Sequence, residues 1–140
     1  MRHTIRILQV DDDEEDFLII QDLLKDITRQ RYTIEWSPGY EDAVEKIKTN
    51  EYDVFLVDFM LGKYTGIELL KHIRQNNMHI PVIIFTGQGD ERIDMEAMNA
   101  GAADYLVKGQ IGSNILERSM RYSINQAETQ KKLLENEQIL

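Results

Sequence analysis

Five short apolar runs alternate with stretches whose apolar residues recur at helical spacing, and this alternation constrains the fold more than any other feature of the chain. Ile5-Arg6-Ile7-Leu8-Gln9-Val10 reads as a strand. Phe17, Ile20, Leu24 and Ile27 follow at spacings of 3, 4 and 3, which is one helix face. Residues 32–36 form a second strand, ended by Ser37-Pro38-Gly39, and Ala43, Val44 and Ile47 make a short helical stripe. Val54-Phe55-Leu56-Val57 is continuously apolar, as expected of a strand buried on both faces. Thr65-Gly66-Ile67-Glu68 has the form of a capping box opening a third helix, with Ile67, Leu70 and Ile73 inward. Val82-Ile83-Ile84-Phe85 is the fourth strand, broken by Gly87-Gln88-Gly89. Ile93, Ala97 and Ala100 line a helix that Gly101 ends. Tyr105-Leu106-Val107 is the fifth strand. Ser113 is placed to cap the last helix, which carries Leu116, Met120 and Ile124. Strand and helix thus alternate five times, which predicts an α/β fold with a parallel sheet and helices on both faces. Ligands of such open sheets bind beyond the carboxyl ends of the strands.

Composition narrows the classes. A chain of 140 residues suggests one domain and can bury a core without staples. It has no Cys, which removes disulfides, thiolate metal sites and a Cys nucleophile, and fits a reducing compartment. The formal charge of −9, without a basic stripe, sets it against nucleic acid. No apolar run approaches the ~18 residues that would span a membrane. Six of the 25 acids stand in one run, residues 11–16, directly after the first strand.

The strand ends carry the chemistry. Asp11 and Asp12 follow the first strand, Asp58 the third, Thr86 closes or follows the fourth and Lys108 follows the fifth. Three carboxylates sharing a crevice repel one another and raise one another's pKa, a strain that a divalent cation relieves. The oxygen donors and the lack of a strand-end His favour Mg²⁺ over zinc. A lysine and a hydroxyl beside such a cluster suit phosphoryl transfer, where positioning and charge neutralisation carry the catalysis. The remaining acids of the run, Asp13, Glu14, Glu15 and Asp16, read as a solvated helix start favoured by the helix dipole.

The pair Asp11-Asp12, the strand-end Asp58, Thr86 and the segment Asp104-Tyr105-Leu106-Val107-Lys108, in this order on these elements, resemble the receiver domain of two-component response regulators over about residues 4–124. The resemblance implies a CheY-like, flavodoxin-like sheet of strand order 2-1-3-4-5. It implies that Asp58 takes a phosphoryl group from a phosphohistidine of a histidine kinase or phosphotransfer protein. Asp11, Asp12, Asp58 and the backbone carbonyl of Met60 would serve Mg²⁺, with Mn²⁺ able to substitute. Lys108 would pair with the phosphoryl group, Thr86 would swing toward it and Tyr105 would follow, changing the surface of the fourth helix, fifth strand and fifth helix. Such a protein is a cytoplasmic switch that catalyses only its own phosphorylation and dephosphorylation, with neither nucleic acid nor membrane as partner.

Two departures stand out. Gly109 follows Lys108 where the family usually has proline, and the loop after Asp58 lacks the common Met-Pro. The alternative function is a degenerate receiver that acts as an interaction or dimerisation module without phosphorylation. A Mg²⁺-dependent phosphatase is disfavoured because Met60 stands where a second, general-acid Asp would be needed. Residues 1–124 read as the receiver and 125–140 as an extension of the last helix. Leu116, Met120, Ala127 and Leu134, with Ser123 and Gln130 as polar members, follow a thin seven-residue coiled-coil seam, which reads either as a frayed helix end or as a signalling helix that forms a homodimer or leads into a downstream module. The charged helix containing Glu117-Arg118-Ser119-Met120-Arg121-Tyr122 resembles the start of multidomain sensor proteins.

Overall fold

The computed structural model describes residues 4–76 and 78–139. Five strands form one parallel sheet: β1 (Thr4–Val10), β2 (Arg31–Ser37), β3 (Val54–Asp58), β6 (Val82–Thr86) and β7 (Asp104–Val107), in the spatial order β2-β1-β3-β6-β7. In terms of the five strands read from the sequence this is the order 2-1-3-4-5. The labels β4 (Met60–Leu61) and β5 (Tyr64–Thr65) belong to a small antiparallel hairpin in the loop after β3. Two-residue strands carry no periodicity, so nothing in the apolar pattern marks this hairpin. Gly62, at φ 67°, occupies the left-handed conformation at its turn, which glycine adopts without a Cβ clash.

Five helices cover the sheet: α1 (Glu14–Lys25), α2 (Tyr40–Ile47), α3 (Gly66–Gln75), α4 (Glu91–Asn99) and α5 (Ser113–Ile139). The period-2 alternation of the strands divides the core in two. Leu8, Val10, Phe55, Val57, Val82 and Ile84 pack with Ala43, Ile47, Leu69, Leu70, Ile73 and Ala97 of α2, α3 and α4. Ile5, Ile7, Val54, Leu56, Ile83 and Phe85 pack with Ile20 and Leu24 of α1 and Leu116, Met120 and Ile124 of α5. β3 and β6 are buried at every residue, as their unbroken apolar runs require.

The helix starts set the loops above the strands. Asp13 caps α1 by accepting from Glu15 N–H, and Asp90 caps α4 by accepting from Arg92 N–H. The capping box of α3 is complete: the Thr65 hydroxyl accepts from Glu68 N–H at 3.2 Å while the Glu68 carboxylate accepts from Thr65 N–H at 3.0 Å. Ser113 is the first residue of α5 and donates its hydroxyl to the Leu23 carbonyl of α1 at 2.9 Å, tying the two helices together.

α5 runs unbroken through 27 residues. Its first half lies on the sheet, and this corrects the expected seam. Leu116 and Met120 are wholly buried in this chain's own α1/α5 core, and Ser123 is nearly buried as well. They cannot also meet a second copy. Ala127, Gln130 and Leu134 remain outside that core, joined by exposed Leu133. His3 and Leu140, at the two ends, lie outside the described residues. Among the described residues, no helix is long and apolar enough to cross a membrane.

Candidate functional site

The sheet register brings the strand ends to one place. Val10 is level with Val57, so Asp11 stands beside Asp58. Asp58 is level with Phe85, and Thr86 with Val107, so Thr86 and Lys108 each sit one step further along the neighbouring strand. Carboxylate oxygens of Asp11, Asp12 and Asp58 lie within 4.8 Å of one another.

Each carboxylate has a different setting. Asp11 is 1% exposed. Its N–H donates to Ser37 O at 3.0 Å, and its Oδ1 accepts from Asp13 N–H at 2.9 Å. Its own carbonyl accepts the Trp36 indole N–H at 2.8 Å, while the Trp36 ring stacks on Phe17. Asp12 is exposed at the mouth of the crevice. Asp58 is 7% exposed. Its backbone is clamped by Phe59 N–H donating to Phe85 O and Gly66 N–H donating to Phe59 O, both at 2.7 Å. Burial, then the charge of Asp11, pushes the Asp58 carboxyl up to about 6 against the opposing pull of Lys108. Burial raises Asp11 as well, opposed by Lys108 and the Asp13 N–H.

Lys108 supplies the counter-charge. It opens a 3-10 turn (Lys108–Gln110), and its Nζ lies 2.7 Å from Asp16 Oδ2, 2.8 Å from Asp11 Oδ2 and 3.3 Å from Asp58 Oδ1. Burial alone would lower its pKa. The hydrogen bonds to Asp11 and Asp16 and the charge of Asp58 outweigh that and hold it above its usual value. The Thr86 hydroxyl donates to Gln88 O at 3.1 Å, within its own loop. Tyr105 is half-buried, and its hydroxyl accepts from Asp90 N–H at 3.0 Å at the start of α4. Met60 opens the hairpin, paired with Thr65, and is 58% exposed.

The donor set suits a hard divalent cation: three carboxylates, no nitrogen or sulfur ligand, and a buried excess of negative charge that the Lys108 ammonium now balances in part. The same crevice presents a buried nucleophilic oxygen, an ammonium and a hydroxyl.

A family model of the response regulator receiver domain matches residues 7–120. The chain belongs to that family. Receiver domains work in phosphorylation-based signalling, with histidine kinases or phosphotransfer proteins as partners. Among curated relatives, this receiver domain is 31% identical over 114 residues to the transcriptional regulatory protein DltR of Streptococcus agalactiae, covering 81% of this chain and 50% of that protein. It is 31% identical over 103 residues to the alkaline phosphatase synthesis transcriptional regulatory protein PhoP of Bacillus subtilis, covering 74% of this chain and 42% of that one. The chain therefore spans half or less of the length of these relatives. A response regulator receiver domain from Clostridium thermocellum superposes with a TM-score of 0.77 at 28% identity, covering 93% of this chain and 98% of that one.

Sequence reasoning missed two contacts of this receiver domain. Asp16, read as part of a solvated helix start, instead makes the shortest of the Lys108 ion pairs. Its place in the first turn of α1, one turn beyond Asp12, was the available signal, masked by the acids around it. Trp36, the last residue of the run 32–36 that reads as the second strand, holds the main chain of Asp11.

Proposed function

We propose that Asp58 is the phosphoryl acceptor of a two-component phosphorelay. The observation that carries this reading is the setting of Asp58: a buried carboxylate at a strand end, grouped with Asp11 and Asp12 and 3.3 Å from the Lys108 ammonium. A carboxylate oxygen of Asp58 attacks the phosphorus of a phosphohistidine on a histidine kinase or phosphotransfer protein. The P–N bond breaks, its electron pair leaves with the imidazole, and an acyl phosphate forms. Water later hydrolyses it, restoring Asp58 and releasing phosphate. The chain thus turns over only its own phosphoryl group and is not a conventional enzyme.

Asp11, Asp12, Asp58 and the Met60 carbonyl would hold Mg²⁺, or Mn²⁺ in its place, which when bound neutralises the carboxylates and the phosphoryl oxygens. Lys108 takes up charge on the transferring group. Thr86 leaves Gln88 O to donate to a phosphoryl oxygen. The Tyr105 hydroxyl, bound to Asp90 at the N-cap of α4, passes that movement to the surface of α4, β7 and α5. That surface and the α5 extension then control a partner or a further domain.

Incubation with Mg²⁺ and acetyl phosphate tests this. The expected result is a mass increase of one phosphoryl group that requires Mg²⁺ and is absent in Asp58→Asn. Uptake that survives that substitution places the acceptor elsewhere. No uptake from either acetyl phosphate or a phosphohistidine donor leaves the interaction module without phosphorylation as the function.

A further inference from the structure

We infer that Asp16 is a positioning residue for Lys108, holding its ammonium over the crevice when the other two partners are engaged elsewhere. The inference rests on the phosphoacceptor reading. An ammonium has three N–H donors, and Lys108 faces three carboxylates. Asp11 and Asp58 belong to the cluster that takes the cation and the phosphoryl group, so their oxygens are redirected during the reaction. Asp16 stands outside that cluster and is free to keep its bond.

Three structural facts support this role. The Asp16 contact, at 2.7 Å, is the shortest of the three. Asp16 sits in the first turn of α1, a helix start fixed by the Asp13 cap, with its own N–H bonded to Asp13 O at 3.1 Å. Its carboxylate is therefore carried on a rigid element rather than a loop. The backbone beyond Lys108 is a single 3-10 turn, Lys108–Gln110, in which Gly109 has no side chain and nothing lies within 4 Å of where its Cβ would stand. A glycine leaves φ unrestrained where a proline would fix it. With one short turn behind it, the aim of a four-carbon side chain depends on its acceptors. The pair joins residues 92 positions apart in the chain, so it also ties the α1 start to the end of β7.

Asp16→Ala, Asp16→Glu and the control Glu15→Ala test the inference. Glu15 carries the same charge on the same turn, is exposed, and makes no ion pair with Lys108 among the described residues. Loss of a charge-assisted hydrogen bond in a half-buried site is expected to slow phosphoryl uptake from acetyl phosphate by about tenfold in Asp16→Ala. Asp16→Glu restores most of the rate, and Glu15→Ala matches the parent. A second readout needs neither metal nor phosphoryl donor: the side-chain ¹⁵N resonance of Lys108 shifts in Asp16→Ala and stays in place in Glu15→Ala. An unchanged or faster rate in Asp16→Ala, an equal loss in Glu15→Ala, or an unmoved resonance overturns the role of Asp16 while leaving Asp58 as acceptor. Absence of uptake in the parent protein overturns the acceptor reading and this inference with it.

Discussion

Gly66, the first residue of α3, lies flat against the main chain of Asp58: a Cβ at that position would collide with the Asp58 carbonyl oxygen and come within 2.9 Å of Val57 Cγ1. Neither neighbour is a flexible side-chain tip, since one is backbone and the other a buried β-branched residue. Gly66→Ala therefore has to push the strand end and the helix start apart. The expected cost is about 1–3 kcal/mol, as for other overpacking substitutions. Phosphoryl uptake should fall further than stability alone explains, because Asp58 is displaced. Urea unfolding together with the uptake assay checks this, and parent-like values in both would show that the loop yields freely.

The raised Asp58 carboxyl makes stability depend on pH in a definite direction. Its folded pKa of about 6 lies above the ordinary 3.8, so between those values the folded state binds the proton more tightly than the unfolded chain. Stability of the metal-free protein then falls as pH rises through that window, and Asp11 acts in the same sense. Asp58→Asn removes the buried charge and should stabilise the metal-free fold at pH 7 by on the order of 2 kcal/mol, with little effect near pH 4. Mg²⁺ should narrow the gap by stabilising the parent. Denaturant midpoints at the two pH values decide it, and a gap independent of pH would refute the assignment.

Trp36 should report directly on the crevice, because its indole N–H is bonded to the Asp11 carbonyl. Titration with Mg²⁺ is expected to change its emission, and Asp11→Asn or Asp12→Asn to abolish the response at the same metal concentration. This is the only Trp in the chain, so the signal has one source. A full response in both variants would place the cation elsewhere.

Self-association through α5 has a narrower basis than the sequence suggested. Among the described residues, Leu133 and Leu134 are its large exposed apolar residues beyond Ile124. Replacing both by Lys is expected to leave the thermal transition of the fold unchanged and to convert any dimer to monomer in light scattering. A parent protein that is monomeric at high concentration, phosphorylated or not, ends the proposal.

The framework was legible because each layer has its own period. Continuous apolar runs mark β3 and β6, three- and four-residue spacings mark the helices, and the polar residue after each run marks the crevice. The Thr65–Glu68 capping box was readable because both partners lie within one turn. What was hidden depends on distance in the chain or on short elements. The Asp16–Lys108 pair spans 92 positions and leaves no local pattern. The β4–β5 hairpin is too short to alternate. The coiled-coil stripe was real as a period but ambiguous in partner: Leu116 and Met120 obey it equally well by facing their own sheet.

The unbroken course of α5 has a mechanical consequence. Ile124 is the last buried residue of the helix among those whose burial is described, and the helix continues from there to Ile139 without a break. At 1.5 Å per residue that segment projects about 22 Å. A helix of this length behaves as a lever whose fulcrum is the α1/α5 core. A tilt of about 5° at the fulcrum carries the far end roughly 2 Å sideways, a displacement larger than most side-chain rearrangements inside a packed core. Under the proposed function, helix length sets the amplitude of a signal passed from the crevice through α5, and each added turn would increase it without altering the chemistry proposed for Asp58.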